Sequence, residues 1–427
     1  MSTIAALAGR GGPLAGHLVL ELCGDEPSGT FGTQILADLG ATVLKIERPP
    51  ATDPAPTVLD PAAPVPRDIA YFFGLNRNKR SLCLDLKQAE GRAAFDRLLA
   101  VASVVYDNYT PATARRLRID AESLRAINPA LICCSVSGFG QTGPWSALPA
   151  YDATVQALGG GMSITGTGRA EDPPVRWGNP IGGIGGALYA VLGILVALRR
   201  RRAQDGMPGA ALDVALLDAQ LAMHAYRVPQ ALGGARFAAS PHRGGNGAMP
   251  YGPFRTADDR WFVLGITGQF WSRCCDVLGH PEWREDARFR TQADRQANEA
   301  ALNAAVTAAM RCADADAWQA RFVAAGIPGA KVATIEEAFA HPHVPLRDML
   351  VGFDDAVGSR LKVAGDPIKL GAHPHAGFRP APGLGADTVA VLRDLLGLDD
   401  AARDALRATR AAWWPLEGVV YRRPSVV

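Results

Sequence analysis

The sequence is poor in three features that would point to common functions: net charge, paired cysteines and clustered metal ligands. Its formal net charge at pH 7 is only +2, too balanced for general electrostatic binding to nucleic acid or to an acidic membrane. The seven cysteines form no C-x-x-C pair, and their odd number favours a reducing cytoplasm over a disulfide framework. The H-P-H triplets at 341–343 and 373–375 have no cysteine or carboxylate ligands at fixed spacing, so we expect no metal site.

Nucleotide-binding fingerprints are also missing. No G-x-G-x-x-G joins the first predicted strand to the helix after it, and the GRGG run at 9–12 precedes that strand instead of following it. The sequence has no G-x-x-x-x-G-K-[ST] phosphate loop either. These absences argue against a nicotinamide, flavin or ATP cofactor.

One uncharged stretch, residues 181–198, is about long enough to span a bilayer and ends at four arginines, 199–202. Because it contains five glycines and stands alone in a globular composition, we interpret it as a buried core helix opened by a glycine-rich turn. The arginines would then offset the helix dipole. The first 16 residues lack the apolar core of a signal peptide, so we expect a cytoplasmic protein without a membrane span.

Apolar strands and helical segments alternate over the first 140 residues, which predicts an α/β fold with a parallel sheet. The strand-like runs are continuous and apolar, as expected when both faces of a sheet are covered, and lie at 17–22, 41–47, 81–86, 103–109 and 130–139. The chain is expected to continue as a helix from residue 203. RWFVLGI at 260–266 is expected to form an edge strand of a smaller second domain.

Eight segments carry a resemblance to a known family: GPLAGHLVLEL, ILADLGATVLKIERP, NRNKRSLCLDLKQAEGRAAFDRLL, DNYTPATARRL, INPALICCSVSGFGQTGP, PAYDATVQALGG, GILVALRRR and GIPGAKVATIEEAFAHPHV. In this order and spacing they resemble the class III CoA-transferases, which include formyl-CoA transferase, L-carnitine CoA-transferase and the related α-methylacyl-CoA racemases. The resemblance runs from about residue 13 to the C-terminus.

The resemblance implies an interlocked dimer in which each Rossmann-like large domain is built from both ends of the chain. We therefore expect residues 1–229 to begin the large domain, 230–330 to form the small domain, and 331–427 to return to the large one. The substrate implied is CoA or acyl-CoA, and the contacts with it are implied at the following residues: Arg48, Leu84, Asp85, Lys87, Asn108, Tyr109, Thr110 and Arg116.

The positions of three cations agree with that assignment. CoA carries a 3′-phosphate and a pyrophosphate, which need cationic partners. Arg48 follows the second predicted strand, Lys87 follows the third, and Arg116 lies on the helix after the fourth. All three are on the carboxyl side of strands, where open parallel sheets bind ligands. The alternative is that they are solvated surface cations.

The family's nucleophile is absent. Class III enzymes are expected to use an aspartate that attacks the donor thioester, forms a mixed anhydride and releases CoA as the thiolate. Counting back from GILVAL at 193–198, that position falls on Gly183, and no Asp or Glu occurs between Asp172 and Asp205. Glycine could preserve a tight turn there through its access to unusual backbone angles, but it has no group that can attack a carbonyl.

Tyr151 and Asp152 are the remaining candidates for chemistry, because the resemblance places this pair at the acyl end of the site. Asp152 would then be a general base or a carboxylate that orients the substrate. The alternative is that it caps the helix ATVQALGG that follows it. The sequence also departs from the family pattern at Pro27 and Ser28 after the first strand, and in the loose glycine loop RGGNGAMPYG at 243–252.

Four functions remain open at this point, one of which is an active transferase whose nucleophile lies elsewhere in the chain; the other three are the following. The first is the non-catalytic subunit of a heteromeric CoA-transferase, resembling the paired subunits of the benzylsuccinate CoA-transferases, with a paralogous chain as partner. The second is a self-sufficient acyl-CoA racemase or lyase that uses Asp152. The third is a non-enzymatic acyl-CoA binding protein.

Overall fold

The computed structural model describes residue 4 and residues 11–52, 65–203, 208–235, 248–353, 361–371 and 377–416. The chain divides into two compact units. The larger comprises residues 1–161, 176–233 and 345–427, and the smaller comprises residues 162–175 and 234–344. The boundaries near 230 and 330 that the sequence suggests stay predictions.

The larger unit contains a seven-stranded sheet with six parallel strands. In chain order these are β1 (Leu18–Leu22), β2 (Thr42–Glu47), β3 (Arg80–Leu84), β4 (Val104–Asp107), β5 (Ile132–Ser137) and β6 (Ala211–Ala215). The order across the sheet is β3, β2, β1, β4, β5, β6. The five predicted strands are confirmed, with slightly shorter bounds, and they form the mixed α/β fold expected.

The sheet has apolar contacts on both faces. Leu18, Leu20 and Leu22 of β1 belong to one buried cluster, whereas Val19 belongs to another. Successive side chains of a strand point to opposite faces, so the two clusters are the cores on the two sides of the sheet. This explains why the strands are continuous apolar runs without polar alternation.

The helices of the larger unit connect these strands and extend toward the C-terminus. They are α1 (Pro27–Asp38), α2 (Arg67–Leu75), α3 (Ala89–Val101), α4 (Pro111–Leu117), α5 (Ala121–Ile127), α6 (Asp152–Leu158), α7 (Ile181–Ala203), α8 (Leu216–Met223), α9 (Arg227–Leu232), α16 (Thr388–Asp394) and α17 (Asp400–Ala408). The C-terminal segment returns to the sheet, because a short strand β12 (Ala412–Trp413) pairs antiparallel with β3. A two-stranded piece, β10 (Leu350–Val351) with β11 (Val363–Ala364), also belongs to this unit.

The smaller unit is built on a three-stranded antiparallel sheet, β7 (Tyr251–Arg255), β8 (Trp261–Gly265) and β9 (Gly329–Lys331). Its helices are α10 (Gly268–Leu278), α11 (Gln292–Ala297), α12 (Glu299–Met310), α13 (Ala315–Ala324), α14 (Ile335–Ala340) and α15 (His343–Leu346). The prediction that residues 260–266 form an edge strand is wrong, because β8 lies between β7 and β9. The third strand follows 64 residues later in the chain, so local sequence could not reveal this pairing.

Two further expectations about residues 181–223 are wrong. The glycines at the start of α7 are not in a turn, because the helix begins at Ile181 and none of Gly182, Gly183, Gly185 and Gly186 has positive φ. The chain is also not helical throughout after residue 203, since β6 precedes α8. Gly209 permits this change of structure: a Cβ there would lie 1.9 Å from the carbonyl oxygen of Leu131.

Helix α7 buries one face against the rest of the larger unit. Ala187, Ala190 and Ile194 are fully buried, whereas Leu192 and Val196 are mostly exposed. Among the described residues, α7 is the one helix that is long and apolar enough to span a bilayer, and half of its most apolar window is buried. Because one face of α7 is buried, we describe it as a core helix and not as a membrane span.

Candidate active site

The first turn of α7 is held by a carboxylate from another helix. Oδ1 of Asp152 accepts hydrogen bonds from the amides of Gly182 and Gly183, at 2.8 and 3.1 Å. Its Oδ2 accepts from Nε2 of Gln156 at 2.6 Å, and Gln156 in turn accepts from the amide of Trp177 at 2.8 Å. The free N–H groups of a helix start are thus satisfied by an anion, which the helix dipole also favours.

Asp152 therefore caps a different helix from the one that the sequence suggested. Asp152 is the first residue of α6, whose N-cap is Tyr151 and makes no side-chain capping hydrogen bond. The carboxylate caps α7 instead, about 30 residues along the chain. Tyr151 is 71% exposed.

Three glycines at the start of α7 have close neighbours where a Cβ would stand. A Cβ on Gly185 would lie 1.7 Å from Cε of Met223, and one on Gly186 would lie 2.6 Å from Cδ2 of Leu216. On Gly182 it would lie 3.1 Å from Oδ1 of Asp152, the oxygen that caps the helix. Larger residues at these positions would require these side chains of α6 and α8 to shift.

Gly183 differs from the other three glycines because a Cβ placed there would make only ordinary contacts. The nearest atoms to a Cβ placed there are the amide nitrogen of Ser28 at 3.6 Å and the Cβ of Ser28 at 3.9 Å, both ordinary contact distances. Neither φ nor packing therefore requires glycine at this position. The position that the resemblance assigns to the nucleophile is a vacant place on α7 that faces the start of α1.

Ser28 presents a backbone donor toward that vacant place. It is the second residue of α1, so its amide N–H has no acceptor within the helix. The hydroxyl of Tyr106 donates to the carbonyl oxygen of Ser28 at 2.6 Å, and Ser28 itself is 8% exposed. An amide at a helix N-terminus favours negative charge, such as that of a carboxylate or of a carbonyl oxygen under attack.

A buried ion cluster lies beneath the segment that carries Ser28. Nζ of Lys45 is 3.0 Å from Oε1 of Glu21, and Nζ of Lys79 is 2.9 Å from Oε2 of the same carboxylate. Lys45 also donates to the carbonyl oxygen of Cys23 at 3.1 Å, and Lys79 donates to that of Thr30 at 2.8 Å. The two lysines thus hold residues 23 and 30, on either side of Ser28, through one shared carboxylate.

Burial and the charges within the cluster shift the pKa values of its members. Burial raises the pKa of Glu21, but Lys45 and Lys79 oppose it and bring the pKa down to about 2. Burial lowers the pKa of Lys79 to about 8, although Glu21 acts in the opposite direction. Sequence reasoning missed this cluster. The available signal was a charged residue within each of the apolar strands LVLEL and TVLKIE.

The residues assigned to CoA lie at one edge of the sheet. Arg48 follows β2 and is exposed, Lys87 lies in the turn after β3 and is exposed, and Arg116 is exposed on α4. Because β3, β2, β1 and β4 are parallel neighbours, their carboxyl ends meet at this edge. Within the described part of the chain, none of these three cations has a carboxylate within 4.0 Å.

The other members of that set have mainly structural contacts. Leu84 is buried at the end of β3, and Oδ1 of Asp85 accepts from the amide of Lys87 at 3.0 Å, which shapes the turn. Oδ1 of Asn108 accepts from the amide of Gly24 at 3.1 Å and thereby ties β4 to the loop after β1. Thr110 caps α4 by accepting from the amide of residue 113.

Asp107, which sequence reasoning did not single out, comes directly before Asn108 and Tyr109. Burial raises the pKa of Asp107 to about 6, against hydrogen bonds from the Ser135 hydroxyl and the Tyr109 amide. Its carboxylate fixes the backbone of Tyr109 at the edge where CoA is expected. The signal available from sequence was an acidic residue at the end of an apolar strand.

Metal ligands and the predicted glycine loop give less information. Over the described residues, no three His, Cys, Asp or Glu side chains are close enough together to hold a metal ion. His373 and His375, and residues 243–247 of the predicted glycine loop, lie outside the described ranges.

Comparison with known proteins places these observations in a family. Residues 14–388 match CoA-transferase family III. The chain is 33% identical to a succinyl-CoA–D-citramalate CoA-transferase of Chloroflexus aurantiacus, over 93% of this chain and 98% of the relative. It is 30% identical to the beta subunit of a succinyl-CoA–L-malate CoA-transferase of the same organism, over 93% and 98%. The crystal structure of a CAIB/BAIF family protein from Brucella suis matches with a TM-score of 0.77 and 30% identity, over 90% of this chain and all of that one.

Proposed function

This chain belongs to CoA-transferase family III, and from that premise we propose that it is the CoA-binding, non-catalytic subunit of a heteromeric CoA-transferase. The observation that carries the proposal is Gly183. Its position lies beside the Ser28 amide and accommodates a Cβ at ordinary contact distances, yet it holds no carboxylate. The likeness to a protein named as a beta subunit supports a paralogous partner chain.

The chemistry would be divided between the two chains. A carboxylate of the partner attacks the thioester carbonyl, forms a mixed anhydride and releases CoA as the thiolate. The acceptor carboxylate then displaces the donor acid from this anhydride. The CoA thiolate attacks the acceptor acyl carbon, which gives the new acyl-CoA and restores the partner's carboxylate. This chain contributes cations for the CoA phosphates at Arg48, Lys87 and Arg116. It also holds the Ser28 amide against the start of α7. We place the complex in the cytoplasm, as an interlocked dimer.

A CoA-transfer assay with succinyl-CoA as the donor tests the proposal, because succinyl-CoA is named for two of the similar proteins. We expect the purified chain alone to give no transfer to dicarboxylic acids. We expect transfer when it is co-expressed with a second family III chain encoded beside it. Activity of the isolated chain would contradict the proposal, and CoA binding without activity in any pairing would favour a non-enzymatic acyl-CoA binding protein.

The affinity for CoA tests the role of the sheet edge. Replacing Arg48, Lys87 or Arg116 by alanine should weaken CoA binding by about tenfold each, the loss typical of one charge-assisted contact with a phosphate. Arg115→Ala is the matched control, since it removes the same charge from α4 at the neighbouring position. Isothermal titration calorimetry measures the four affinities. Equal losses in all four variants would mean that only general electrostatic attraction is involved.

The second candidate, an enzyme that uses Asp152 as its base, is disfavoured by the contacts of that carboxylate. Three N–H donors already bind its two oxygens, so the carboxylate is engaged in holding the start of α7. We expect Asp152→Asn to lower the free energy of unfolding by about 1–2 kcal/mol, because it weakens the cap of α7. Transfer by the heteromer and CoA affinity should persist. Loss of turnover at unchanged CoA affinity and stability would support the Asp152 enzyme instead.

A further inference from the structure

A cavity of about 1000 Å³ lies at the opposite end of α7 from Gly183. It is lined by residues that precede strands, including His17 before β1 and Pro129 before β5, and by the last turns of α7. It therefore lies at the amino ends of the strands, whereas the edge assigned to CoA lies at their carboxyl ends. At about 1.5 Å of rise per residue, Arg201 is roughly 27 Å from Gly183 along the helix.

Three guanidinium groups line this cavity: those of Arg199, Arg201 and Arg202. Arg201 donates to the carbonyl oxygen of Ala130 at 3.1 Å and to the hydroxyl of Ser103 at 3.3 Å, both neutral acceptors. In the described part of the chain, none of the three has a carboxylate within 4.0 Å. The positive charge around the cavity is thus not balanced by described neighbours.

His17 is also affected by the positive charge of these arginines. Its Nδ1 is 3.0 Å from the Ser103 hydroxyl that Arg201 also contacts. Burial lowers the pKa of His17, and the positive charges of Arg201 and Arg202 lower it further. The imidazole is therefore neutral at pH 7 and can accept or donate one hydrogen bond toward the cavity.

The remaining wall is apolar. Leu14, Leu195 and Leu198 line it together with proline and alanine side chains. A ligand that satisfies both parts carries at least two negative charges at one end and an apolar portion at the other. A monoanion would leave most of the guanidinium charge unbalanced.

We propose that this cavity binds a small organic polyanion, either a phosphate ester or a polycarboxylate, at a site separate from the one that binds CoA. Arg199 and Arg202 would contact the anionic groups directly, since Arg201 already bonds to the protein. The planar guanidinium group matches both phosphate and carboxylate oxygens in paired hydrogen bonds. The proposal does not depend on whether the chain is catalytic.

Calorimetric titration of the full chain with two probes tests the site, phenyl phosphate for the ester and phthalate for the polycarboxylate. We expect at least one to bind, and the one that binds identifies the class. Arg199→Ala and Arg202→Ala should each weaken binding by about tenfold. Arg200→Ala is the matched control, because Arg200 has the same charge on the same helix turn but does not line the cavity. It should leave probe affinity within about twofold, and all three variants should keep the CoA affinity of the natural chain.

Two results would overturn the proposal. One is the absence of binding by both probes at millimolar concentration. The other is an equal loss in Arg200→Ala and Arg199→Ala, which would mean that the arginines act only as a diffuse positive charge at the end of α7. Loss of CoA affinity in the Arg199 or Arg202 variant would also contradict a separate site.

Discussion

Replacing Gly183 by aspartate should give the isolated chain a CoA-transferase activity that the natural chain lacks. The new Cβ would lie 3.6 Å from the Ser28 amide nitrogen, an ordinary contact distance, so the first atom of the side chain meets no clash. Its carboxylate would stand at a helix start, where negative charge is favoured, beside an amide donor. Because removal of a covalent nucleophile costs several orders of magnitude in rate, we expect a gain of at least about 100-fold over background.

The control for this gain is Gly183→Asn, which has nearly the same shape but no nucleophilic carboxylate. It should fold and bind CoA like Gly183→Asp and remain inactive. Succinyl-CoA with a panel of dicarboxylic acids, followed by chromatography of the CoA esters, measures both variants. If Gly183→Asp binds CoA normally but stays inactive, residue 183 is not the position of the missing nucleophile.

Replacing Glu21 by glutamine should destabilise the chain more than any other single polar substitution proposed for it. The change leaves Lys45 and Lys79 buried without their shared counter-charge, since the side chains are 3% or less exposed. Breaking a buried ion pair from one side typically costs about 3–5 kcal/mol. Urea unfolding measures the loss, and Glu90→Gln is the matched control, because Glu90 is exposed in the first turn of α3 and should change stability by less than about 0.5 kcal/mol.

The same substitution has a defined dependence on pH. The pKa of Glu21 is about 2 in the folded chain, below its ordinary value of 4.5. A lowered carboxyl pKa contributes stability that is fully present above pH 4.5 and is lost as the pH falls through 2. The stability gap between the natural chain and Glu21→Gln should therefore narrow between pH 4.5 and 2. A gap that stays constant with pH would mean that Glu21 acts by packing alone.

Most of the sheet was predictable from the sequence, because the local sequence of each of its first five strands is a recognisable apolar run. The runs that become β1 to β5 are apolar throughout, which is what burial on both faces requires. β6 was missed because Ala211–Ala215 is only partly buried and is followed directly by helix α8, so no apolar run marks it. The assignment of the nucleophile position to residue 183 was made by counting from a local motif and stays a prediction.

The contacts of the site were not predictable, because they join distant parts of the chain. The Asp152 carboxylate caps a helix that starts about 30 residues later in the chain, whereas the local sequence favoured capping of the helix that directly follows Asp152. The reason for glycine at 185 and 186 is the side chains of α8, which only the folded chain brings near. Lys45 and Lys79 were not singled out in the sequence, because only the fold places both against Glu21.

One measurement tests most directly whether this chain lacks a nucleophile. The heteromer is incubated with succinyl-CoA and quenched with hydroxylamine, which converts an activated protein carboxylate into a hydroxamate, and the intact masses of both chains are recorded. We predict a hydroxamate on the partner chain and an unmodified mass for this one. A hydroxamate on any Asp or Glu of this chain would contradict the account.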